Sequence, residues 1–226
     1  MIQYYSTIYS FEFFDTTEVS LMRLYYADIR GIDENDALYP PLSKSRGSAF
    51  GVSLLAAAYE DYAGAPLPKI IKLLSGKSHM PDRPEFHYSV SHSKTHVFVA
   101  LSKKPVGADT ETHRIMKQTV IEKLTTPAEL AGLTFFDIWV LRESYFKLTQ
   151  KGDLRALRFY RRNGRIVPPE EGVHCRLYPD IEGSSTAVCS LDAKFPDKIT
   201  KIPIEALLKK EARKRLEKEK KAAEQE

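Results

Sequence analysis

The chain has 226 residues, enough for one large domain or two small ones, and its 42% hydrophobic and 28% charged content suits a globular core. A net charge of +4 is too small to imply nucleic acid by itself, and two cysteines exclude a disulfide framework. The aromatic start "MIQYYSTIYSFEFFD" lacks the basic region of a secretory signal, and no apolar run reaches membrane-spanning length, so a cytoplasmic protein is expected. Cys189, in the apolar run "TAVCSL", reads as a small buried side chain. A Cys175–Cys189 bridge would matter only in an oxidising compartment.

In chain order, the first fifteen residues predict a strand. "SAFGVSLLAAAYEDY", Ser48 to Tyr62, has helical spacing, with Ser48 or Ser45 as cap and Gly64 and Pro66 ending it. "FHYSV", "HVFVALS" and "VGADTE" predict a three-stranded meander. From Ile115 to Lys151 the pattern is helical, with Thr126-Pro127 a good start. "LRFYRRNGRIV" predicts a hairpin turning at Asn163-Gly164, and "VHCRLYPD" and "TAVCSL" are further strands. This predicts an α+β protein of two similar-sized lobes: 1–105 at the front, 106–208 behind, and a tail at 209–226. The charged tail reads as a solvated, fraying helix or as a weak nucleic-acid- or partner-binding element.

Two carboxylate features stand out. Asp109 and Glu111 are separated by one residue at a strand end, so they share a face and repel unless water screens them or a cation joins them. In "FFDIWVLRESYFK", helical spacing puts Phe136, Trp139, Val140, Glu143 and Lys147 on one stripe. Trp139 predicts that this stripe packs inward, which sets a functional glutamate against an ordinary Glu143–Lys147 surface pair. Asp109, Glu111 and Glu143 together offer the hard oxygen ligands that Mg²⁺ prefers. Nothing suits zinc: His92 and His96 lie in a strand–loop–strand segment, without the glutamate of H-E-x-x-H.

These pieces, in this order, resemble the phosphopantetheinyl transferases of the monomeric, surfactin-synthetase-activating type. That family carries a Ser-His-Ser loop, a strand ending G-[IV]-D-x-E, and W-x-x-[KR]-E-[AS]-x-x-K on a helix. Here they are Ser91-His92-Ser93, Gly107 through Glu111, and Trp139 through Lys147. The resemblance covers roughly Ile70 to Leu208. It implies two pseudo-symmetric lobes, each a small antiparallel sheet packed with helices, with coenzyme A and Mg²⁺ (or Mn²⁺) between them. The implied reaction moves 4′-phosphopantetheine from coenzyme A to a serine of an apo acyl- or peptidyl-carrier protein, releasing adenosine 3′,5′-bisphosphate. A monomer with neither membrane nor nucleic-acid partners is implied.

Position by position, the resemblance makes Asp109, Glu111 and Glu143 metal ligands, and Glu143 also the base for the serine. Lys147 would contact the diphosphate, and Ser91 and His92 the 3′-phosphate and adenosine. Lys77, Ser48 and Arg46 would be further coenzyme A contacts. Ser78 stands where the family has a proline after the lysine, and Ala108 and Thr110 replace the aliphatic pair around the aspartate. A silent binding module on the same fold is the competing class; all three acids being present favours the enzyme.

Overall fold

The computed structural model describes residues 22–44, 47–73 and 77–223. The predicted N-terminal strand, Ser45 and Arg46 lie outside the described residues. The elements run β1 (Met22–Asp28), α1 (Ser48–Ala63), β2 (Ile71–Lys72), β3 (Ser78–His79), β4 (His87–His92), β5 (His96–Ser102), β6 (Val106–Thr112), α2 (Gln118–Leu124), α3 (Pro127–Leu130), α4 (Phe135–Thr149), β7 (Tyr160–Arg162), β8 (Arg165–Val167), β9 (His174–Tyr178), β10 (Ser184–Ser190), β11 (Thr200–Lys201) and α5 (Lys210–Ala223). None of the described helices is long and apolar enough to cross a membrane.

Two sheets stack face to face. The first has the order β11-β1-β5-β4 and the second β6-β10-β9. Helix α1 covers the outer face of the first, burying Phe50, Leu54 and Tyr59 against Tyr25, Val97, Val99 and Leu101. Helix α4 covers the second, burying Ile138, Leu141, Tyr145 and Leu148 against Ala187 and Cys189. Between the sheets Leu24, Phe98 and Ala100 meet Ala108, Tyr178 and Val188. Strand β5 is therefore buried on both faces, which is why "HVFVALS" reads as a continuous apolar run.

The predicted meander is split. Strands β4 and β5 pair antiparallel, but Lys103–Pro105 carry the chain across to the second sheet, where β6 pairs β10. The long helical stretch is also divided. Thr126 opens α3 and Thr134 opens α4, each in a capping box, with Glu129 and Asp137 respectively. Helix α1 starts after Gly47 without a side-chain cap; the Glu34 carboxylate accepts from Ala49 N at 3.0 Å instead. The Asn163-Gly164 turn is present with both residues at positive φ, the geometry of a two-residue hairpin.

The end of the chain differs most from expectation. Residues 200–208, assigned to the back lobe from sequence, join the front one. Strand β11 pairs parallel to β1, so the first sheet is mixed rather than antiparallel, and Leu207 and Leu208 fill the α1 core. Helix α5 is mostly exposed, as its charge predicts, yet it is seated on the front lobe: Ala212 is buried, Leu216 packs on that core, and Arg215 grips both Asp36 oxygens at 2.7 and 2.8 Å. Ala212 and Leu216, one turn apart, share one face, so a mostly charged segment still finds a seat.

Candidate active site

The site forms where β4, β6, α1 and α4 meet. Gly107 makes the contact between β6 and α4 possible: a Cβ there would lie 2.0 Å from Ser144 O and 2.5 Å from Leu148 N. Ser144 is small as well, and its one hydroxyl proton is shared between Val140 O at 2.6 Å and Ala187 O at 2.9 Å. With the helix this close, Glu143 and Lys147 reach past the edge of β6. Arg142 turns the other way into full burial, donating to Glu129 Oε1 at 2.8 Å and Leu124 O at 2.5 Å.

Strands β4 and β6 belong to different sheets, and serines stitch them together. Ala108 N donates to Ser89 Oγ at 2.9 Å, and Thr110 N to Ser91 Oγ at 3.2 Å. The Ser91 hydroxyl donates to Asp109 Oδ1 at 2.6 Å. Lys147 Nζ donates to the same oxygen at 2.8 Å, to Ala108 O at 3.1 Å and to Val90 O at 3.4 Å, so its three protons are all engaged. Glu111 sits further along the same face of β6, half-buried and paired with Arg114.

Glu143 is half-buried. Burial raises its pKa above the ordinary carboxylate value; Asp109 and Glu111 push the same way and Lys147 opposes them. Among the described residues, no three acids, histidines or cysteines stand close enough to share an ion. The chemistry of Asp109, Glu111 and Glu143 nevertheless fits a hard divalent cation: all are oxygen donors, and their mutual repulsion is what a cation would relieve.

Alongside lies a cavity of about 420 Å³, within the range of small-molecule sites. Ser48 from α1, Lys77, His92 from β4, and Glu143 and Lys147 from α4 all line it. Its other walls include Lys72, Tyr88, Val90, Phe146 and Gln150. Burial, then the Lys147 charge, lowers the His92 pKa, so the ring is neutral near pH 7.

No protein-family profile matches the chain. It is 30% identical over 152 residues to the 4′-phosphopantetheinyl transferase ffp of Bacillus subtilis, an alignment covering 59% of this chain and 67% of that protein. The chain belongs to the 4′-phosphopantetheinyl transferase family. Similarity to the 4′-phosphopantetheinyl transferase Sfp of Bacillus subtilis strain 168 is 28% over 152 residues, with the same coverage. To the 4′-phosphopantetheinyl transferase psf-1 of Bacillus pumilus it is 29% over 123 residues, 49% of this chain and 53% of that one.

The enzyme thus brings Ser48, Lys77, His92, Glu143 and Lys147 to one cavity and sets Asp109 and Glu111 beside it. Ser91 is placed on the opposite face of β4 from His92, bonded to Asp109. Sequence reasoning missed Ser89, whose stitching role has no motif. It also missed Tyr88 and Val90, which strand alternation puts on the His92 face.

Proposed function

We propose that the enzyme transfers the 4′-phosphopantetheine group of coenzyme A to a serine hydroxyl of an apo acyl- or peptidyl-carrier protein, releasing adenosine 3′,5′-bisphosphate. The observation that carries this reading is the make-up of the cavity: three lysines, Lys72, Lys77 and Lys147, face a single carboxylate, Glu143, which suits a polyanionic ligand.

The serine oxygen attacks the phosphorus that bears pantetheine. A new P–O bond forms, the bond from that phosphorus to the bridging diphosphate oxygen breaks, and the bisphosphate leaves. Glu143 takes the hydroxyl proton, and its raised pKa makes it a better base than an exposed glutamate. Lys147 neutralises charge on the phosphoryl oxygens, exchanging its longest bond, that to Val90 O at 3.4 Å, for one of them. Neutral His92, with Ser48 and Lys77, holds the nucleotide; Arg46 and Ser91 remain candidates for the same ligand. Asp109, Glu111 and Glu143 would hold Mg²⁺ or Mn²⁺, which supplies further charge neutralisation on the diphosphate.

Intact-mass spectrometry tests the proposal, using a set of apo carriers incubated with the enzyme, coenzyme A and Mg²⁺. At least one carrier gains the phosphopantetheine mass, EDTA abolishes the gain, and Mg²⁺ or Mn²⁺ restores it. A full set of unmodified carriers overturns the reading, and full turnover in verified metal-free enzyme overturns the ligand set.

A further inference from the structure

The two cysteines of the chain face each other across the hairpin of β9 and β10. Cys175 and Cys189 are direct partners in the antiparallel register, so their side chains share one face of the sheet, the face under α4. The pair stands next to the last one, His174 with Ser190, near the open end of the hairpin. Directly opposed residues hold their Cβ atoms about 4.5–5.5 Å apart, and a disulfide needs about 3.5–4.5 Å, so an approach of about 1 Å joins them. Strand β9 can supply that movement because it is an edge strand, tied within its sheet to β10 alone.

The two thiols differ in access. Cys189 is fully buried, with its Sγ 3.9 Å from Leu141 O of α4, and burial followed by the neighbouring Cys175 thiol raises its pKa well above the ordinary value. Cys175 is partly exposed and lines a cavity with Arg161, Arg165, Arg176 and Lys194. No carboxylate lines that cavity among the described residues, although Arg176 is paired with Asp197. Such a wall draws an anionic reagent to Cys175 and leaves Cys189 out of its reach.

We propose that Cys175 and Cys189 form a redox site, in which Cys175 takes up the disulfide of a small anionic thiol such as glutathione and Cys189 converts the adduct into a cross-strand bridge. The Cys175 sulfur attacks one sulfur of oxidised glutathione, and its proton leaves with the first glutathione thiol. The Cys189 sulfur then attacks the Cys175 sulfur, and its proton leaves with the second. One S–S bond and two S–H bonds break and the same number form, so an electron pair passes from the protein to the oxidant. The bridge clamps the hairpin near its open end, where local opening of an edge strand begins. This site is separate from the transfer reaction and does not depend on it.

Intact-mass spectrometry and peptide mapping of the folded, reduced chain incubated with oxidised glutathione test the proposal. Wild type loses the mass of two hydrogens and carries a Cys175–Cys189 bridge with no glutathione attached, and dithiothreitol reverses the change. Cys189→Ser gains one glutathione at Cys175 and keeps it, while Cys175→Ser stays unmodified. Brief alkylation of reduced wild type with iodoacetamide needs no variant: Cys175 is labelled at least about tenfold faster than Cys189, which reacts only through local opening. Wild type that forms no bridge, a Cys189→Ser chain without the adduct, or equal labelling of the two thiols overturns the proposal. So does a Cys175→Ser chain modified as fast as wild type. A bridge between two chains also overturns it, because the register then does not bring the thiols together.

Discussion

Adjacent residues in an extended strand face opposite sides, and this separates Ser91 from His92 although the motif presents them as a pair. His92 meets the cavity, while Ser91 turns to Asp109 Oδ1 and Thr110 N. The shared face of Asp109 and Glu111 was legible from the same alternation. The Lys147–Asp109 bond was not, since it joins two elements whose approach no local spacing encodes. Glu143 offers the sharpest test at this scale. Glu143→Gln keeps the shape and removes the proposed base, so kcat is expected to fall at least about a hundredfold while the melting temperature holds. The pH profile carries the sign. The proposed base must be ionised to act, and burial and the other two acids raise the Glu143 pKa above 4.5, so kcat/KM is expected to fall as pH drops through that higher value. The residual activity of Glu143→Gln lacks this limb; if the limb persists in the variant, another group is the base.

Helix α4 shows how an element can be found correctly and turned wrongly. Its helical character follows from the periodicity of 115–151, but the stripe through Trp139 is only in part its buried face. Of that stripe Val140 is fully buried, whereas Phe136, Trp139, Glu143 and Lys147 are only partly buried, and Ile138, Leu141, Tyr145 and Leu148 point inward. The aromatic ring misled because the outer stripe lines a site and is itself half-enclosed. What fixes the helix is a glycine on another element. Gly107→Ala drives a Cβ into the backbone at Ser144 and Leu148, where no side chain can swing aside. The expected loss is about 3 kcal/mol or more, read from the urea midpoint. Gly51→Ala is the contrast, because its Cβ would meet only the Val90 Cγ1 methyl at 2.8 Å. It should cost clearly less, and equal losses for the two would mean that α4 and β6 can separate cheaply.

At the scale of the whole molecule, the two sheets meet through polar side chains as well as apolar ones. His96 Nε2 shares a hydrogen bond with Thr110 Oγ1 at 2.7 Å, which in turn shares one with Thr186 Oγ1 at 2.8 Å. Burial pushes the His96 pKa down from 6.5 to about 4. A base depressed in the fold binds its proton more readily when unfolded, so stability is fully present above pH 6.5 and is lost as pH falls toward 4. The loss amounts to about 3 kcal/mol. Urea midpoints across that range check it, and a His96→Gln series with the same slope would assign the loss elsewhere. The α+β class and the β4–β5 and β7–β8 pairings were readable because they are local. The return of β11 to β1 was not, because a two-residue strand carries almost no pattern of its own.

That return has a consequence for biosynthesis. The ribosome delivers β1, α1, β4 and β5 early, and local pairing can begin at once, but the hydrophobic floor under α1 lacks Leu207 and Leu208 until translation has passed them. The core under α1 is thus completed only after α4 and its sheet have been made. Until then its apolar surface stands open to chaperones and proteases, and the segment carrying Leu207 and Leu208 closes it.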